Sequence, residues 1–69
     1  MPLEPVHSSV LAKVGYDASK QHLGVEFVSG SRYLYHGVTP TVYKMLRASP
    51  SMGSFYNRQI KDRYPSQPA

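Results

Sequence analysis

The chain has 69 residues, with eight lysines and arginines against four aspartates and glutamates, a net charge of +4 and no cysteine. A chain this short makes one domain that buries only about 60% of the surface exposed on unfolding, and the missing cysteines exclude disulfides and thiolate metal sites. No stretch approaches the roughly 20 apolar residues of a membrane helix, and "MPLEPVHSS" lacks the basic patch and apolar run of a secretory leader, so a cytoplasmic protein with no membrane partner is expected.

Residues 1–6 and 66–69, rich in proline and polar side chains, are expected to be disordered tails around a domain of residues 7–65. In "SVLAKVGY", Val10, Ala12 and Val14 alternate with Leu11, Lys13 and Gly15, which is the period of a half-buried strand. A second strand follows in "HLGVEFV", with Leu23, Val25 and Phe27 on one face and His22, Gly24 and Glu26 on the other. If "DASK" turns the chain and Tyr16 pairs with Gln21, then Val14 meets Leu23, Ala12 meets Val25 and Val10 meets Phe27 on one apolar face.

The third strand holds Tyr33 and Tyr35, whose direction depends on the loop before it. A two-residue turn of Ser29 and Gly30 would point both rings away from the core, but a type I′ turn needs positive φ at Ser29. A three-residue loop of Val28, Ser29 and Gly30 instead places glycine at the left-handed position, where the absent Cβ removes the penalty. Val25 then faces Tyr33 and Leu23 faces Tyr35, so both tyrosines join the apolar face. On the opposite face Glu26 lies across from Arg32 and His22 from His36, with Lys13, Leu11 and Leu34 nearby. The two histidines have no third ligand spaced to complete a tetrahedral shell, so no metal or other cofactor is expected.

After "HGV" the period changes. Thr39 reads as a helix N-cap with Pro40 at the first helical position, and Val38 and Tyr43 as a hydrophobic staple. Val42, Met45 and Leu46 form the predicted inward stripe, with Lys44 and Arg47 outside. Pro50 ends this helix near Ser49. A second helix from about Ser51 carries Met52, Phe55, Tyr56, Ile60 and Tyr64 inward, and Pro65 ends it. The fold expected is therefore α+β: a three-stranded antiparallel meander followed by two short helices packed on one face.

The charge is uneven. Lys13, Lys20 and Arg32 are cancelled by Glu4, Asp17 and Glu26, whereas Lys44, Arg47, Arg58, Lys61 and Arg63 face only Asp62, so the whole excess follows Pro40. That asymmetry suits an anionic partner, and equally suits solvated helix faces. No carboxylate pair, phosphate-cradling glycine loop or nucleophile with a base and orienting group can be identified, so catalysis is not expected.

The blocks "SSVLAKVGYD", "LGVEFVSG", "RYLYHGV", "YKMLRAS" and "GSFYNRQIKDRYP" together resemble the KTSC domain, from about His7 to Pro65. The family takes its name from the C-terminus of certain lysyl-tRNA synthetases and also occurs as stand-alone small bacterial proteins. Its Tyr-x-Tyr motif falls on Tyr33 and Tyr35, which reads as architectural, and RNA is the partner that its association with the synthetase suggests. Thr39 stands where the family more usually has valine. Two readings follow: a non-catalytic module binding RNA or single-stranded nucleic acid through Lys44, Arg47, Asn57, Arg58, Lys61 and Arg63, or a protein-interaction module, homodimerisation included, using the sheet near Leu11 and Leu34.

Overall fold

The computed structural model describes residues 1–69 as β1 (Glu4–Pro5), β2 (Leu11–Asp17), β3 (His22–Phe27), β4 (Arg32–His36), α1 (Pro40–Ala48), α2 (Met52–Gln59) and β5 (Ser66–Pro68). The strands form one antiparallel sheet in the order β1-β2-β3-β4-β5. Leu11, Val14, Leu23, Val25 and Tyr35 of the sheet and Leu46, Met52, Phe55, Tyr56 and Ile60 of the helical layer share one core, which puts both helices on the same face.

The β3–β4 register is the one the Gly30 loop predicts. Gly30 has φ +96°, its N–H donates to the Phe27 carbonyl at 2.9 Å, and the Phe27 N–H donates to Ser31 at 2.9 Å. Val25 lies opposite Tyr33, Leu23 opposite Tyr35, and Glu26 opposite Arg32, with Arg32 Nε 2.6 Å from Glu26 Oε1.

The β2–β3 turn keeps four residues but lies one position later than the sequence suggested, which shifts the register by two. Asp17 Oδ1 accepts from the Ser19 hydroxyl at 2.7 Å, Ser19 N at 3.0 Å and Lys20 N at 3.3 Å, which builds an Asx-type turn and holds its carboxyl below the usual range, chiefly through Ser19. The loop therefore runs over residues 18–21, and Val14 pairs with Val25 rather than with Leu23. A two-residue shift preserves the faces, because side chains alternate with a period of two. A bulge between Leu11 and Lys13 does change a face: it places Leu11 opposite Phe27 and fully within the core, where simple alternation pointed it outward.

The ends, expected to be disordered, carry strands. β1 pairs through Glu4 with Val14 and Pro5 with Lys13; β5 pairs through Ser66, Gln67 and Pro68 with Tyr35, Leu34 and Tyr33. The sheet thus has five strands instead of three. Proline disfavours central strands because it lacks an N–H, but on an edge that N–H has no ladder to join, and the preset φ lowers the entropy of extension.

α1 begins as predicted: Thr39 Oγ1 accepts from Val42 N at 3.3 Å, and Pro40 occupies the first turn. Its inward face is rotated, however. At about 100° per residue, Val42, Leu46 and Tyr43 span one contact arc, with Tyr43 stacked on Tyr16 at 4.8 Å and 11°. Met45 falls outside that arc and is 54% exposed, correcting the stripe read from spacing. α2 stops at Gln59 rather than running to Tyr64. Asp62 adopts φ 63°, a left-handed conformation that aspartate tolerates, and this turns the chain toward β5.

The second sheet face is covered in part by the N-terminal residues. Gly15 and Gly24 are paired across β2 and β3, and a Cβ on Gly15 would stand 2.5 Å from the Pro2 carbonyl oxygen, so the strand can accept the close approach of Pro2 and Leu3 only with glycine there.

Candidate functional site

The largest concavity is an open groove of about 500 Å³ between the β3–β4 loop and the C-terminal end of α2. Phe27, Tyr33, Tyr35 and Tyr56 form its aromatic lining, and Asn57, Lys61 and Asp62 stand along its helical side. The Gly30 loop creates one wall by turning Tyr33 and Tyr35 onto the helix-covered face. The C-terminal part of α2 and the turn after it, in which Asp62 is left-handed, form the other.

The rings form a chain of edge-to-face contacts: Tyr33 to Phe27 at 6.0 Å, Phe27 to Tyr56 at 5.3 Å and Tyr56 to Tyr35 at 5.8 Å. Tyr35 and Tyr56 are buried, and their hydroxyls are hydrogen-bonded to each other. Burial, and then that bond, push the Tyr35 hydroxyl well above the ordinary tyrosine range. Two hydroxyls carry two hydrogens. Their mutual bond uses one and leaves the other directed to no protein acceptor. Tyr33 is only half-buried, so the two motif tyrosines differ: Tyr35 belongs to the core, while Tyr33 is both packed and accessible from the groove.

All six sequence-predicted contact residues are exposed, but they do not converge. Asn57 and Lys61 line the groove; Lys44 and Arg47 sit on α1, and Arg58 and Arg63 lie near the end of α2. The only ion pair in the molecule is Glu26–Arg32, so the five cations after Pro40 carry no carboxylate partner. Arg47 donates to the Tyr43 hydroxyl at 3.0 Å, Arg58 Nε to the Ser54 carbonyl at 3.4 Å, and Arg63 Nε to the Arg58 carbonyl at 3.0 Å. Arg58 thus reaches back along α2 toward its first half, whereas the Arg63 contact places positive charge by the carbonyl end of the helix, where the dipole favours it.

Sequence reasoning did not single out Asp62, Phe27 or Tyr56 as site residues. The last two look like ordinary core positions from their spacing. Asp62 carries one signal, being the only acid after Pro40. On the far sheet face His36 Nδ1 lies 3.1 Å from His22 Nε2, and His36 Nε2 lies 3.2 Å from Gln67 Oε1. No cluster of three or more histidine, cysteine or acidic side chains surrounds them. No helix is long and apolar enough to cross a membrane.

The sequence model of the KTSC domain matches residues 7–64. Over 62 residues the chain is 40% identical to a protein of Tsukamurella paurometabola, covering 90% of this chain and 92% of that one. It is also 38% identical over 63 residues to the lysine–tRNA ligase of Nostoc punctiforme, a match that takes in 91% of this chain and 11% of the ligase. The crystal structure of a KTSC domain protein from Yersinia pestis superposes with a TM-score of 0.93 at 28% identity, covering 99% of this chain and 96% of that one.

Proposed function

The chain belongs to the KTSC domain family, and from that premise we propose that it is a small, non-catalytic cytoplasmic module that binds RNA or another single-stranded nucleic acid through the cations of its helical layer. The observation that carries this reading is the set of five exposed cations after Pro40, Lys44, Arg47, Arg58, Lys61 and Arg63, none of them ion-paired. Exposed cations without ion-pair partners attract phosphates and gain from counterion release. The likeness to a segment of lysine–tRNA ligases, enzymes named for an RNA substrate, supports the same direction.

The protein-interaction reading keeps less support. Short proline-bearing strands cover both edges of the meander, which is how sheets limit edge pairing, and Leu11 lies in the core. Leu34 alone remains, half-buried, of the two leucines expected on that face.

The test is a titration of a labelled single-stranded RNA at several salt concentrations. Affinity that falls linearly in log–log form, with a slope of about −0.7 per phosphate neutralised, supports the proposal. Absence of binding at low salt overturns it.

A further inference from the structure

We propose that the aromatic groove receives one unpaired keto nucleobase, guanine or uracil, of the bound strand. This rests on the nucleic-acid reading above and adds a base-selective pocket to its phosphate contacts. The groove's volume of about 500 Å³ falls in the usual range for small-ligand sites, about 300–1,000 Å³. Its wall suits a planar ring. Tyr33 and Phe27 meet edge to face at 72°, so one of the two offers a ring face that the other does not occupy, and bases stack on such faces whatever their identity.

Selectivity comes from the polar groups. Guanine and uracil share a lactam edge, a carbonyl oxygen beside a ring N–H. The spare hydroxyl hydrogen of the Tyr35–Tyr56 pair and the Asn57 amide are donors suited to the carbonyl, and the Asp62 carboxylate is an acceptor suited to the N–H. Lys61, on the same side of the groove, is placed to neutralise the adjoining phosphate. Adenine and cytosine present a bare ring nitrogen at the corresponding position. Its lone pair would face the Asp62 carboxylate, leaving both acceptors unpaired, and sites built to hydrogen-bond a group reject analogues that lack it.

The experiment compares hexauridylate with hexaadenylate by fluorescence anisotropy, using the whole chain and its Asp62→Asn and Asn57→Ala variants. Asparagine tolerates the left-handed backbone at position 62 as aspartate does, so the bend survives the substitution. Wild type should prefer hexauridylate by at least about tenfold, the size of one good bidentate base contact. Asp62→Asn should shrink that preference to about threefold or less through loss of the selective acceptor, without weakening hexaadenylate. Equal affinity of wild type for both strands, with a normal salt dependence, overturns the groove and leaves the phosphate contacts standing. If neither strand binds at low salt, the phosphate reading falls, and uncharged nucleosides decide the groove by itself. NMR shift changes at Tyr33, Asn57 and Asp62 with millimolar uridine but not adenosine would support the pocket; no change with uridine overturns it.

Discussion

The Tyr35 and Tyr56 hydroxyls are hydrogen-bonded to each other where β4 meets α2. The bond joins sheet to helix inside an otherwise apolar core and keeps the Tyr35 hydroxyl protonated in the fold. Since burial and this bond raise its pKa above the value of 10.0 expected when unfolded, the folded chain holds that proton more tightly than the unfolded chain. Its contribution to stability is complete below pH 10 and declines as pH rises beyond it. Denaturant midpoints measured across the alkaline range should therefore fall for wild type, and fall less steeply for Tyr35→Phe. Identical profiles would show that the proton is not held by the fold.

Truncating the two motif tyrosines should have unequal effects. Tyr35 is 4% exposed and belongs to the core, so Tyr35→Ala should cost about 3–5 kcal/mol. Small domains have total stabilities of about 5–15 kcal/mol, so this variant should be close to unfolding at ambient temperature. Tyr33 is half-buried on the groove wall, and Tyr33→Ala should cost clearly less in a urea titration. Equal losses would mean that Tyr33 is as much a core residue as Tyr35, and that the groove is closed in solution.

That difference marks the limit of what the residues disclose in one dimension. The Gly30 loop chemistry sets the β3–β4 register and sends both rings inward, as read from turn preferences alone. How far each ring is covered depends on where α2 stops, and helical spacing cannot foresee an end at Gln59 because Ile60 and Tyr64 continue the apolar pattern past it. Leu11 is obscured for a similar reason: a bulge adds one residue to a strand without altering its composition. The end strands were hidden by their prolines, which signal both frayed tails and edge strands. Composition did reveal the cations, since burial of five unpaired charges is too costly to be an alternative. It could not show that only Lys61 among them reaches the groove.

Gly15 provides a local test of the N-terminal cover. A methyl group there would stand 2.5 Å from a backbone oxygen of Pro2 and 2.9 Å from the Leu3 side chain. The backbone oxygen belongs to a terminal segment paired through only two residues of β1, so the segment should move rather than the sheet. Gly15→Ala is expected to lose hydrogen-exchange protection at Val6, whose N–H donates to the Ala12 carbonyl at 3.0 Å, while the core amides of β3 keep theirs. Loss of protection throughout β3 would instead show that the sheet itself depends on that contact.

The five cations can be separated by what else they do. Arg63 also contacts the Arg58 carbonyl near the end of α2, where a favourable charge–dipole interaction is worth about 0.3–1 kcal/mol, so Arg63→Ala should slightly lower the melting temperature besides weakening RNA binding. Lys44 lies exposed on α1 and makes no ion pair. Lys44→Ala should leave thermal stability unchanged and alter only the binding electrostatics. If Lys44 neutralises one phosphate, its removal should reduce the magnitude of the salt slope by about 0.7 on a single strand or about 0.9 on a duplex, with little dependence on sequence because phosphate contacts carry no base information. Lys61→Ala should produce a similar change in slope and leave the preference between bases unchanged, although Lys61 alone of the five borders the groove. A slope that is unchanged in Lys44→Ala and Arg47→Ala but reduced in Lys61→Ala would confine the strand to the groove side of α2. A slope unaffected by any of the five substitutions would remove the electrostatic basis of the proposed function, and the exposed cations would then be ordinary solvated charges.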